Sequence, residues 1–466
     1  MSIYKPCDIR GHVTTDLNPE LYRSWGRTLG EQVPPGAKFV VGGDIRLSTP
    51  RFLEALVEGL CQAGVDLINL GTLPTPMVYY AGRRLSAEGC AIVTASHNPP
   101  DFNGLKWMLG DRPPTPESVD RLKREAENSP DRPSDRTPSQ ERTLDVSFDY
   151  VAWLQETWAQ RRPVDLHIAL DPMHGCLAQR ARRYLHAVFP RVVFSPIHDT
   201  PDPVFDGRCP DCARAELLEE LSETIYRQRA DLGIAFDGDG DRIAFVDNQG
   251  TPLAAEETTW ILQQSFGPQL KGQPFVYDQK FSDRVPEAAR QLGAKPVAER
   301  SGHAFIRTRM IECRALFGAE ISGHYFYRAL EGGDDGLFTA CRLIDYLARS
   351  GNTLAELRRG CPPVFMTPDL RVPLDPERRE AVIEGVREAW SAYPQTSLDG
   401  VRVDFPDGWA LVRSSVTESA LTFRFEATDW PKLHALAQRF CDELLDVGDR
   451  LWSRYQAALG VVGERS

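Results

Sequence analysis

The sequence predicts an α/β protein: three similar mixed-sheet α/β domains followed by a smaller C-terminal α+β domain. Three observations carry this. The length of 466 residues exceeds what one hydrophobic core fills. Three successive stretches alternate short apolar strands with amphipathic helices, the pattern of sheets covered on both faces. After Val364 that alternation gives way to strands of period two and a terminal helix.

The first domain, expected over 1–145, contains the strand KFVVGGD (Lys38–Asp44) and the helical pattern RFLEALVEGLCQAG (Arg51–Gly64). The strands VDLINLG (Val65–Gly71) and CAIVTAS (Cys90–Ser96) follow. Its tail, Asp111–Thr143, is rich in proline and charge; it can hold a short helix but reads mainly as a surface connection. The second, over 146–250, contains DLHIALD (Asp165–Asp171), a helix after Gly175, RVVFSPI (Arg191–Ile197), a helix around Glu216–Arg229 and LGIAFDGDGDRIAFVD (Leu232–Asp247). The third, over 251–364, contains PFVYDQKF (Pro274–Phe281), helices on either side of KPVAERSGH (Lys295–His303), GAEISGHYF (Gly318–Phe326) and a helix near Asp335–Arg349. The fourth, over 365–466, contains VRVDFPDGWALVRSS (Val401–Ser415), ALTFRFEAT (Ala420–Thr428) and one helix from Asp429 to Val447.

Bulk properties exclude several function classes. No apolar run reaches the roughly 18 residues of a membrane span, so no membrane association is expected. The start MSIYKPCDIRG lacks the features of a secretory signal. Ten scattered cysteines suit a reducing cytoplasm, and the one close pair, Cys209 and Cys212, reads as an ordinary loop. The net charge of −12 argues against nucleic acid as the main partner. It would also repel a phosphorylated ligand, unless arginines and lysines gather in one cleft.

Four segments carry chemistry. Ser96 ends an apolar strand and opens Ser-His-Asn-Pro-Pro, followed by Asn103-Gly104-Leu105-Lys106; an α/β sheet binds its ligands at that edge, although Asn-Pro and Pro-Pro also mark a plain turn. Asp237, Asp239 and Asp241, two residues apart after the strand LGIAF, are costly to crowd without a cation. Oxygen-only donors favour Mg²⁺ over zinc. Arg242 and Asn248 stand where a calcium loop needs glycine and glutamate, so that alternative fails. Glu320, Ser322 and His324 would share one side of an extended chain and could hydrogen-bond adjacent sugar hydroxyls. Arg413 with the hydroxyls of RSSVTES (Arg413–Ser419) suits a phosphate, or a capped helix start.

Taken together, CDIRG, TASHNPP, DGDGDR, SGHAFI, GAEISGHYF and RSSVTES, in this order over essentially the whole chain, resemble the phosphomannomutase/phosphoglucomutase branch of the α-D-phosphohexomutase family. The resemblance implies four domains around a deep central cleft and an isomerase that interconverts hexose 1-phosphate and hexose 6-phosphate. Ser96 would carry the phosphoryl group, and Asp237, Asp239 and Asp241 would hold one Mg²⁺ with an oxygen of phosphorylated Ser96. Arg10, Lys106, His303 and His324 would line the reacting centre, with Lys280 nearby and Arg242 stabilising charge on the moving group. Glu320 and Ser322 would grip the sugar's 3- and 4-hydroxyls, leaving the 2-position, where glucose and mannose differ, without a reader. Arg413, Ser415 and Thr417 would bind the idle phosphate. A hexose 1,6-bisphosphate would be both intermediate and activator, and sugar phosphates the partners of a monomer or homodimer.

Some positions depart from the family pattern. Cys7 stands where tyrosine is frequent, and Val416 and Ser419 replace the asparagine and proline of the usual phosphate loop. Gly240 and Ile321 favour the hexose branch over a phosphoglucosamine mutase. A non-catalytic sugar-phosphate sensor would be expected to lack Ser96 or a metal carboxylate, and all are present. A plain phosphatase would need water at Ser96, which an intact fourth domain excludes.

Overall fold

The computed structural model describes residues 2–128, 134–415 and 419–463. Domain I is built on a six-stranded sheet of β1 (Ile9–His12), β2 (Lys38–Gly43), β3 (Asp66–Thr72), β4 (Gly89–Val93), β5 (Phe102–Leu109) and β6 (Glu141–Thr143). Their spatial order is β1-β5-β4-β2-β3-β6, antiparallel on the β1 side of β4 and parallel beyond it. The helices Pro19–Glu31 and Thr49–Gln62 lie in contact because Gly59 has no Cβ; one there would sit 2.0 Å from the Arg23 carbonyl oxygen.

Domain II has four strands, β7 (His167–Asp171), β8 (Val193–Pro196), β9 (Leu232–Phe236) and β10 (Ile243–Asp247), in the order β10-β9-β7-β8. Domain III has five, β11 (Pro274–Asp278), β12 (Lys295–Glu299), β13 (Phe317–Ala319), β14 (Tyr325–Tyr327) and β15 (Gly333–Asp334), in the order β12-β11-β13-β14-β15. Both sheets are mixed, so the three-domain α/β reading holds. Domain IV is an antiparallel sheet of β16 (Phe365–Met366), β17 (Leu370–Pro373), β18 (Gln395–Thr396), β19 (Val401–Phe405), β20 (Gly408–Ser414) and β21 (Ala420–Ala427), with helices on it.

Two expectations need correction. The segment 111–143 is more than a surface connection: the helix Pro116–Asn128 buries Val119, Leu122 and Ala126 in the domain I core, and β6 extends the sheet. Only three apolar residues one turn apart anchor that helix, too few to stand out among its charges. Among the described residues domain IV carries three helices, Pro376–Ala389, Trp430–Asp442 and Leu445–Gly463, where the sequence pattern predicts one. The first buries just Ile383 and Val386; the other two are separated by a short break after Asp442 that no proline or glycine announces.

Candidate active site

At the carboxyl end of β4, residues 94–96 carry the chain off the sheet. Ser96 is buried and has φ of 52°, a left-handed conformation that costs energy for a residue with a Cβ. A buried guanidinium holds it there. Arg46 Nη2 donates to the carbonyls of Ser96 (2.8 Å) and Asn98 (2.7 Å), Nη1 to those of Pro99 and Phe102 (3.1 Å), and Nε to Asp44 (2.9 Å). From the other side Arg10 Nη1 reaches the Ala95 carbonyl (2.5 Å) and Asn98 Oδ1 (3.0 Å), with Asp8 against its Nε (2.9 Å). The loop is thus wired from two directions, and Ser96 Oγ donates to Asp237 Oδ2 at 2.7 Å.

Asp237 belongs to the loop between β9 and β10, which three domains pin. The Thr75 amide of domain I donates to Asp239 O (2.9 Å), Cys176 of domain II to Gly238 O (2.9 Å), and Gly336 of domain III to Gly240 O (3.2 Å). Pro210, from the Cys209–Cys212 segment, accepts from the Gly238 amide (3.1 Å), so that segment props the loop and both cysteines are free. The donor oxygens of Asp237, Asp239 and Asp241 lie within 4.8 Å of one another, all buried. Among the described residues Asp239 Oδ1 has no hydrogen-bond partner, and Asp241 Oδ1 has only His324 Nε2, at 3.3 Å. Three buried carboxylates converging within 4.8 Å, with Asp239 Oδ1 unfilled, fit a hard divalent cation, so the triad can bind a metal.

Lys106, on β5, is the internal cation of this cluster, with Nζ 2.9 Å from Asp239 and 2.5 Å from Asp241. Burial works against its charge, but the two carboxylates overcome that and push its pKa up. Burial and its acidic neighbours push Asp237 well up, while Lys106 and His324 outweigh burial at Asp241 and hold it well down. Arg242 is kept charged against burial by Asp211, Asp237, Asp241 and Glu320. His97, 3.3 Å from Ser96 Oγ, is held neutral by burial and the neighbouring Arg242 and Arg10.

Glu320, Ser322 and His324 come together, but through a tight turn between β13 and β14 rather than an extended strand: the Gly323 amide bonds Glu320 O and the Glu320 amide bonds His324 O. His324 Nδ1 is 2.8 Å from Ser322 Oγ and 3.3 Å from Glu320 Oε2; its Nε2 is 3.3 Å from Asp241 and 3.7 Å from Asp334. Burial disfavours the imidazolium, yet Asp241 and Glu320 raise its pKa to about 10. Glu320 is correspondingly lowered to about 2, burial notwithstanding, chiefly by His324. Backbone pairing of Arg242 with His324 joins this turn to the metal loop.

These groups face a cleft of about 600 Å³ to which domain IV contributes the roof: Arg10, His97, Arg242, Lys280, His303, Glu320, His324, Arg413 and Ser415 all line it. Lys280 pairs with Asp369 of domain IV (3.1 Å) and Arg413 with Asp399 (2.6 Å). Ser96, Lys106 and the triad lie beneath, at its buried base. Thr417, like Val416, falls outside the described residues. Sequence reasoning missed Arg46, Asp44, Thr75 and Asp334; the Asp-Ile-Arg triplet after a strand was the available signal for the first two.

Family models match in chain order: "Phosphoglucomutase/phosphomannomutase, alpha/beta/alpha domain I" at 2–132, domain II at 148–250, domain III at 255–365 and the C-terminal domain at 370–443. A phosphomannomutase/phosphoglucomutase of Pseudomonas aeruginosa is 31% identical over 455 residues, covering 97% of each chain. A phosphoglucomutase of Neisseria gonorrhoeae is 30% identical, over 94% of this chain and 95% of that one. A crystal structure of a phosphoglucomutase/phosphomannomutase family protein from Burkholderia thailandensis superposes with a TM-score of 0.85 at 29% identity, covering 98% of this chain and 97% of that one.

Proposed function

The chain belongs to the phosphoglucomutase/phosphomannomutase family of α-D-phosphohexomutases and is a hexose phosphate mutase, an isomerase; from that premise we propose that it works through a phosphorylated Ser96. The observation that carries the proposal is the Ser96 hydroxyl hydrogen-bonded to Asp237 at the base of a cleft roofed by Arg413.

In the first step the free hydroxyl of a hexose 1- or 6-phosphate attacks the phosphoryl group on Ser96. The serine P–O bond breaks, the sugar P–O bond forms, and a proton passes from the sugar hydroxyl to the serine oxygen. The product is a hexose 1,6-bisphosphate, which turns over in the cleft. Ser96 then takes the other phosphate by the reverse exchange. Such transfer needs alignment and charge stabilisation more than covalent work. Arg46 and Arg10 fix the serine, Arg242 and Lys106 place positive charge at the transfer point, and Glu320 and Ser322 offer acceptors and a donor to adjacent sugar hydroxyls. Arg413, with Ser415 and Thr417, would take the idle phosphate, and His303, His324 and Lys280 complete the walls.

Asp237, Asp239 and Asp241, with an oxygen of phosphorylated Ser96, would hold one Mg²⁺. Bound there it would neutralise phosphoryl oxygen charge. A trace of hexose 1,6-bisphosphate would act as activator by restoring lost phosphate to Ser96. Glucose and mannose phosphates are both expected substrates, because no site residue singled out above reads the 2-hydroxyl. Ten free cysteines fit a reducing, cytoplasmic setting.

The test is isomerisation of glucose 1-phosphate and mannose 1-phosphate with Mg²⁺ and trace bisphosphate. Wild-type protein should turn over both, and Ser96→Ala neither. Near-full turnover by Ser96→Ala would overturn the phosphoserine assignment.

A further inference from the structure

A second cavity, of about 190 Å³, opens at the seam between domains I and III. The helix Thr75–Arg84 and the turn after it, together with the β4–β5 strands, form one wall; the helix His303–Cys313 and the turn after β14 form the other. None of its lining residues faces the catalytic cleft.

Two guanidinium groups, Arg83 and Arg307, line this cavity; the carboxylates in its lining, Asp111 and Glu331, are both exposed and, among the described residues, form no ion pair with either. Arg307 is 4% exposed, its Nε is buried without an acceptor, and among the described residues its side chain makes no hydrogen bond or ion pair. The contact it does make is cation–π, 4.7 Å from the ring centroid of Tyr79. Arg83 donates to the Leu330 carbonyl at 3.1 Å and likewise has no ion pair among the described residues. Burial, then repulsion by Arg307, hold the Arg83 pKa below the ordinary arginine range, against the weaker pull of Glu331 and Asp335. Asp334 feels the Arg307 charge through space, but its nearest ion-pair partner is His324. Glu331, exposed at the rim, pairs with neither arginine.

A buried cation without an ion pair, as Arg307 is, is costly, and a second, half-buried guanidinium beside it adds repulsion. A ligand that brings compensating negative charge removes that cost and is bound strongly, because arginine forks match tetrahedral oxyanions in a dry wall. Tyr79, whose hydroxyl has no hydrogen bond among the described residues, lines the same cavity. We propose that this cavity is a second anion site, separate from the cleft, in which Arg83 and Arg307 hold a small phosphate-bearing ligand. The ligand is either free phosphate or a compact phosphate ester. Arg307 stands four residues, about one helical turn, after His303, so the site adjoins the cleft through a single turn of helix.

The experiment is a calorimetric titration of the full chain with inorganic phosphate and, separately, with glycerol 3-phosphate. Arg307→Met, Arg83→Met and the cleft variant Arg413→Met are run alongside wild type. Two binding events are expected in wild type. Each seam variant should weaken one of them by about tenfold or more while keeping the other, and Arg413→Met should do the converse. Tighter binding of the ester at the seam identifies a metabolite, and equal or tighter binding of phosphate identifies the free ion. Thermal unfolding gives a second readout: Arg307→Met should melt higher than wild type in phosphate-free buffer, since it removes an unpaired buried charge. A single event in wild type, lost in Arg413→Met and unchanged in both seam variants, would overturn the proposal.

Discussion

Domains I to III share an apolar cluster that runs from Val40 through Ile234 to Leu357, beside separate clusters within each, whereas domain IV encloses a core of its own around Val372, Phe423 and Phe440 and, among the described residues, shares none with them. What fastens domain IV to domain III is polar. Arg402 forks onto Asp283 (2.8 Å to each oxygen) while lying over the Trp409 ring. Glu426 accepts from the Ser282 hydroxyl, the Asp283 amide (2.9 Å) and Trp409 Nε1 (2.6 Å), and Arg424 donates to the Lys280 carbonyl (2.9 Å). Continuous apolar packing resists deformation, while polar contacts exchange for water at modest net cost. The base of the site, with Ser96 and the carboxylates, therefore sits in the stiff part. The roof, with Arg413 and Ser415, sits on a body held to domain III by contacts that water can replace.

The largest effect that would separate the two regions comes from the base. Arg46→Met strips the Ser96 loop of the donors to four of its carbonyls and leaves Asp44 buried without its cation. A stability loss of about 3–5 kcal/mol is expected in urea denaturation. Wild-type stability in that variant would break the claim that the base is rigidly wired. At the polar link the balance should reverse. Glu426→Gln is expected to cost no more than about 1 kcal/mol of stability, yet to raise KM for the hexose phosphates by about tenfold, with kcat less affected. A fall in kcat with KM unchanged would instead tie domain IV to the chemical step.

A smaller effect concerns pH. His303 has its pKa lowered to about 4, first by burial and then by Lys106. The unfolded chain takes up its proton near the ordinary value of 6.5, the folded chain only near 4, so stability is lost as pH falls through that window. His303→Asn should lose less stability than wild type between pH 6.5 and 4. Parallel curves for the two proteins would show that other groups account for the acid sensitivity.

How much of this was legible differs from element to element. Asp237, Asp239 and Asp241 were readable because crowding three carboxylates has few physical explanations, and Ser96 because it closes an apolar strand. Arg46 was not, since an arginine in a loop ordinarily faces water, and the Asp44-Ile45-Arg46 triplet after a strand gives no hint of the four carbonyls that await it. The Glu320–His324 trio was read as a group from its spacing, but its proximity arises from a tight turn, which period-two reasoning does not foresee.

The strand β21 shows most clearly what each level decided. Its alternation, Leu421, Phe423 and Phe425 against Thr422, Arg424 and Glu426, determined by itself a strand with one apolar face, because side chains alternate across a pleated backbone. The local pattern gives the other face to solvent. In the folded chain Thr422, Arg424 and Glu426 are all at most 6% exposed, the last two docked on domain III and Thr422 at the cleft. Only the tertiary structure could decide that, because burying a charged face depends on partners supplied from more than a hundred residues away, and their pairing leaves no periodicity in the sequence.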